Sequence, residues 1–194
     1  MLDYARHINR NRNDVDIRYA PPGVDARQFF ALNSRLTATD PYILCVGRLD
    51  DPRKNINLLL QAFSRLPADL SHVHLVTAGS GRPPADYWAL VERLGLQNRV
   101  RHIHRPETEH LIKLYQHATA FALSSDEEGL GVVILEAMAC AVPVVATRCG
   151  GPDGIIDDGK DGFLVPLDDA VLMAERLALL CADSRLNEEM GRAA

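Results

Sequence analysis

Residues 124–139, SSDEEGLGVVILEAMA, place a carboxylate and two glycines in a turn between an apolar run and the start of a helical pattern. Gly129 and Gly131 lack a Cβ, so their backbone can approach a ligand closely. A helix N-terminus adds unpaired N–H groups and a partial positive charge, which suit an anion or hydroxyl acceptors. Glu128 and Glu136 are eight residues apart. At 1.5 Å per residue that is up to about 12 Å along a helix. The separation is too large for two carboxylates sharing one proton and fits two acceptors gripping opposite parts of a long polyol. A capping glutamate and a solvated helix glutamate meet the same spacing.

A second segment, VGRLDDPRKN at 46–55, supplies cations. Arg48 and Lys54 put a planar guanidinium and a mobile ammonium where a diphosphate can sit. Ordinary surface charge is the competing reading of this pair. Asp50, Asp51 and Arg53 read as solvated loop charges. AGSG at 78–81 is a Gly-x-Gly of the kind many tight turns use. It fails the dinucleotide fingerprint, because Pro84 stands where a third glycine belongs and the loop follows the wrong strand. Gly150, Gly151 and Pro152 predict a tight turn. His102 and His104 alternate on a strand and share a face, yet no third ligand lies at a metal-site spacing. Ser124 and Ser125 belong to no nucleophile arrangement and are expected to satisfy loop backbone.

These segments need a scaffold, and the hydrophobic pattern describes one. Apolar runs at 42–47, 73–79, 100–104, 119–124, 142–147 and 162–166 read as strands. Helical patterns at 56–66, 86–95, 109–118, 131–140 and 168–182 alternate with them. Strands that are apolar throughout are expected when helices cover both sheet faces. The reading is therefore an α/β fold, a doubly wound, mostly parallel, six-stranded Rossmann-like sheet. Ligands of such sheets bind at the carboxyl ends of the strands, where the unusual residues fall. Residues 1–30 read as a connector, with a basic cluster at 6–12, and 31–194 as one domain. At 194 residues the chain has room for one such domain and not two.

A net charge of -5 points away from nucleic acid as a partner. The four cysteines, Cys45, Cys140, Cys149 and Cys181, have no zinc-type spacing. Cys45 lies in an apolar run as a buried thiol, and a reducing cytoplasmic compartment is the simplest expectation. No apolar stretch reaches the roughly 18 residues of a membrane span.

In the order PPGVD with Phe29, VGRL then RKN, AGSG, EEGLG then LEAMA, and GGPDGIIDDGKDGFLVP, residues 18–194 resemble the C-terminal domain of the group 1 glycosyltransferases. This is a family of retaining enzymes with the GT-B fold. The Glu, seven residues, Glu spacing in EGLGVVILE is the most specific part. The resemblance implies that Arg48 and Lys54 bind the donor diphosphate. It implies that Glu128, Gly129, Leu130 and Gly131 hold the donor sugar, that Val132 belongs to the donor-binding residues, and that Glu136 grips the ribose. The backbone near His104 and Arg105 would flank the base, although a glycine is common where Arg105 stands, and Gly79 would be among the donor-binding residues. Pro22 replaces the family's usual asparagine. Arg48, Lys54 and Glu128 are the candidate catalytic residues.

No metal or other cofactor is expected, the donor being a nucleoside-diphosphate sugar. The implied partner is an N-terminal acceptor-binding domain, through which any contact with the inner face of a membrane would be made. The chain reads as a piece of a longer protein, competent to bind nucleotide and not to transfer sugar alone. A non-catalytic nucleotide-sugar-binding module and a GT-B sugar-nucleotide epimerase or hydrolase are the alternatives. The failed fingerprint sets aside a dinucleotide oxidoreductase.

Overall fold

The computed structural model describes residues 23–32 and 40–194. The basic cluster at 6–12 and Pro22 lie outside them. The six strands are β1 (Tyr42–Val46), β2 (His74–Gly79), β3 (Val100–His104), β4 (Ala120–Leu123), β5 (Val144–Thr147) and β6 (Gly162–Val165). All pair in parallel, in the order β3-β2-β1-β4-β5-β6. The helices are α1 (Ile56–Phe63), α2 (Ala85–Arg93), α3 (Thr108–His117), α4 (Val132–Ala139), α5 (Ala170–Ala182) and α6 (Ser184–Ala193).

Side chains alternate across β1, and the two cores follow from that alternation. Ile43 and Cys45 enter one core with Leu59, Phe63, Tyr87, Met173 and Leu177 from α1, α2 and α5. Tyr42, Leu44 and Val46 enter the other with Leu114, Tyr115, Ile134 and Ala137 from α3 and α4. Both faces are thus covered, which is why the strands read as apolar runs. Burial pushes the Cys45 thiol up to about 12, so it behaves as a small hydrophobe.

The sequence reading missed α6. Its segment, SRLNEEMGRA, has few apolar residues and follows α5 after the single residue Asp183, whose carboxylate accepts from Leu186 N. The helix docks through groups with no hydrophobic signature. Asn187 Nδ2 donates to Thr119 O and Leu180 O, at 2.8 and 2.9 Å. At Gly191 a Cβ would lie 2.3 Å from Ala141 O. The α4 helix starts one residue later than expected, because Gly131 is its cap. Among the described residues, no helix is long and apolar enough to cross a membrane.

The order places β1 beside β4 at the centre, where successive connections leave in opposite directions. A crevice opens at the carboxyl ends of such a strand pair. The β1–α1 and β4–α4 loops meet there, and they carry the two most informative sequence segments.

Candidate functional site

The β1–α1 loop is built on Asp51. Its carboxylate accepts from Arg53 N at 3.1 Å, capping the short 3-10 turn Pro52–Lys54. The same carboxylate pairs with Arg48 Nη2 and Arg53 Nη2, each at 2.8 Å. Asp51 is therefore not the solvated charge expected from the sequence: its side chain is only 11% exposed. The Arg53 hydrogen bond is the first cause holding its carboxyl down at about 2. Arg48 lies on the surface, leaning on Asp51.

Asn55 then adopts a left-handed conformation at φ 40° and caps α1, its Oδ1 accepting from Leu58 N. Its Nδ2 donates to Asp126 Oδ1 at 2.7 Å, across to the β4–α4 loop. Asp126 N donates to Arg53 O, and Ser124 Oγ donates to Lys54 O. Ser124 therefore serves loop backbone as expected. The Ser125 hydroxyl, also buried, has no hydrogen-bond partner among the described residues.

This stitching brings together Lys54 and Glu128, which are 74 residues apart. Lys54 Nζ donates to both carboxylate oxygens, at 2.8 and 2.9 Å. The two side chains are only 18% and 14% exposed. The backbone of Glu128 is held from the other side by the glycine turn after β5. Glu128 N donates to Cys149 O and Gly151 N donates to Glu128 O. A Cβ at Gly151 would lie 2.7 Å from the Leu130 carbonyl carbon, so glycine there permits the approach of two loops. Gly131, at φ 79°, opens α4 with no side-chain cap. A Cβ at Gly131 would lie 3.4 Å from Glu128 Cγ, so the start of α4, where a helix leaves its first N–H groups without intrahelical partners, adjoins the Glu128 side chain. The space a Cβ would take at Gly129 is open, and Val132 is exposed.

Glu136 lies on the second turn of α4 and is half-buried. Burial is the larger influence on its carboxyl and raises its pKa, against an opposing hydrogen bond from Tyr115. Tyr115 Oη donates to Glu136 Oε2 at 2.7 Å. Sequence reasoning gave Tyr115 no role, because a helix-face tyrosine carries no signal of its partner on another helix.

Gly79 and Arg105 flank the site on the β2–β3 side. A Cβ at Gly79 would lie 1.9 Å from Gly47 O. At Gly81 it would lie 2.9 Å from Leu49 N. The glycines of AGSG thus let the β2–α2 loop pack on the β1–α1 loop. Arg105 N donates to Gly79 O at 2.8 Å, and Arg105 sits at φ 48°. This is the left-handed region glycine enters most readily, the physical reason a glycine suits the position. His102 and His104 do share a face, with ring centroids 6.1 Å apart. His102 Nδ1 is 3.1 Å from Thr77 Oγ1. No group of three side chains that could hold a metal ion occurs among the described residues.

The arrangement offers a partly buried ammonium, a carboxylate and a helix N-terminus at one crevice, with a second carboxylate about a turn away. Known proteins share this frame. The family model for glycosyl transferases group 1 matches residues 27–194. The D-inositol 3-phosphate glycosyltransferase of Arthrobacter sp. (strain FB24) is 33% identical over 202 residues, covering 99% of this chain and 48% of that protein. The GDP-mannose-dependent alpha-(1-6)-phosphatidylinositol monomannoside mannosyltransferase of Mycolicibacterium smegmatis is 32% identical, covering 90% of this chain and 50% of the relative. The chain thus spans about half the length of these relatives. The crystal structure of the C-terminal domain of a glycosyl transferase group 1 family protein from Francisella tularensis superposes with a TM-score of 0.76. At 24% identity it covers 88% of this chain and 94% of that one, and shows a shared fold. A family match over most of its length, on a six-stranded parallel sheet of the GT-B half-domain type, makes this chain a member of the group 1 glycosyltransferases.

Proposed function

We propose that this chain is the C-terminal, donor-binding half of a retaining glycosyltransferase that takes a nucleoside-diphosphate sugar as donor. The observation that carries the reading is the Lys54–Glu128 pair at the β1/β4 crevice, beside the uncapped start of α4. Departure of a nucleoside diphosphate builds negative charge on its distal phosphate. Lys54, Arg48 once turned from Asp51, and the α4 N-terminus stabilise that charge. Glu128 and residues 129–132 hold the sugar hydroxyls, and Glu136 accepts from the ribose hydroxyls. The base lies toward Gly79 and Arg105. Transfer breaks the anomeric carbon–phosphate oxygen bond and joins that carbon to an acceptor hydroxyl on the same face. The acceptor's proton passes to the leaving phosphate.

Residues 31–194 form the donor domain in this reading and 1–30 lead into it, with Val24 and Phe29 packed on the α3 and α4 side. A second domain holds the acceptor. Catalysis draws on reactants held in register, an effect worth roughly 7–11 kcal/mol. The 194-residue chain is therefore expected to bind donor and to form no glycosylated acceptor by itself.

A thermal-shift panel of UDP-, GDP- and ADP-sugars, followed by calorimetry, tests the reading. At least one should raise the melting temperature. Glu136→Ala should then weaken plain nucleotide diphosphate more than Glu128→Ala does. No stabilisation by any donor, or equal losses in both variants, would overturn it.

A further inference from the structure

We propose that Tyr115 is a positioning residue of the donor site, its buried hydroxyl fixing the Glu136 carboxylate so that one oxygen is presented to the ribose. This rests on the reading of Glu136 as the ribose acceptor. Tyr115 is on α3 and Glu136 on α4, so neighbouring helices set their relation. Tyr115 is fully buried. Its ring is wedged between Phe29, at 5.8 Å and 75°, and Phe121, at 5.7 Å. A phenol so enclosed has one place for its hydroxyl, and a buried hydroxyl needs a partner. Glu136 Oε2 is that partner, at 2.7 Å.

The direction of the bond is settled by chemistry. An ionised carboxylate only accepts, and burial keeps the Tyr115 pKa well above its usual 10.0, so the phenol remains the donor. Oε2 is engaged, and Oε1 has no donor among the described residues. A glutamate side chain otherwise loses considerable rotamer freedom when a ligand orders it. Here one oxygen is anchored before ligand arrives, which leaves less to lose on binding. The same bond opposes the burial that raises the Glu136 pKa, and so helps keep the carboxylate ionised and able to accept.

The test is calorimetry with UDP, GDP and ADP, and with their 2′,3′-dideoxy counterparts, on the wild-type chain, Tyr115→Phe, Glu136→Gln and the double variant. Tyr115→Phe should bind the ribonucleotide up to about tenfold more weakly, because a Glu136 side chain no longer anchored in advance must be ordered on binding. Its affinity for the dideoxynucleotide should match wild type, and the double variant should bind no more weakly than Glu136→Gln. On acidification, ribonucleotide affinity should fall at a higher pH in Tyr115→Phe. Placing 3-fluorotyrosine at position 115, a stronger donor of nearly the same size, should move that fall to lower pH. The fluorinated protein keeps the ring and tests the bond even if Tyr115→Phe melts early.

Unchanged ribonucleotide affinity in Tyr115→Phe, an equal loss for the dideoxynucleotide, or an unmoved acid limb would each overturn the proposal. A wild-type chain that binds both nucleotide types alike would instead remove the ribose role of Glu136. Failure to bind either nucleotide would remove the donor-site reading, and this proposal with it.

Discussion

Replacing Lys54 by Met retains most of the side-chain stem, which lies against Gly47, and removes the ammonium. Glu128 would then keep its charge in a crevice where its side chain is 14% exposed, with neither of the bonds at 2.8 and 2.9 Å. Removing one partner of a fully buried pair costs about 3–5 kcal/mol. A pair that keeps some contact with water should lose less, about 1.5–3 kcal/mol, the usual value of hydrogen bonds to charged groups. For a domain of this size each kcal/mol lowers Tm by about 2–4 °C, so Lys54→Met should melt about 3–12 °C below wild type. The double variant Lys54→Met/Glu128→Gln should recover part of that loss, because no orphaned charge remains. Circular dichroism melts at pH 7 measure both, and calorimetry with a nucleoside diphosphate should show neither variant binding as wild type does. A Lys54→Met protein with wild-type Tm, or a double variant whose loss is the sum of the two single losses, would refute the coupling of these residues in stability.

Replacing Arg48 and Lys54 together by Ala should reduce affinity for a nucleoside diphosphate far more than for the nucleoside, because the cations act on phosphate charge. Equal weakening by calorimetry would make them structural. Gly79→Ala should cost about 3 kcal/mol, since its Cβ would meet Gly47 O at 1.9 Å and backbone must move. Chemical denaturation showing wild-type stability would contradict that contact. Burial raises the folded-state pKa of Glu136 above the unfolded 4.5, so its ionised form opposes folding at neutral pH. That cost is absent below 4.5 and grows as pH rises through the folded-state value. Glu136→Gln should therefore raise Tm at pH 7, with the gain vanishing as pH falls below 4.5, and a gain constant across pH would refute the assignment.

Strand and helix types are legible in the sequence because burial on both faces of a parallel sheet leaves continuous apolar runs, such as Tyr42–Val46. The family was legible because its motifs are local, and Glu128 to Glu136 can be counted along the chain. Helix α6 was not, since its contacts are an amide to two carbonyls and a glycine against backbone. Nor was the role of Asp51, a charge whose burial depends on two arginines folding over it. Gly79 read as a turn glycine, but the atom it makes room for is on another loop, Gly47 O. Tyr115 and Glu136, 21 residues apart, and Lys54 and Glu128, 74 apart, meet across separate elements. Spacing along the chain carries backbone periodicity, and it places a residue on a face. Which face meets which is set by the order β3-β2-β1-β4-β5-β6, which brings the first and fourth strands together and, with them, a cation and a carboxylate 74 residues apart.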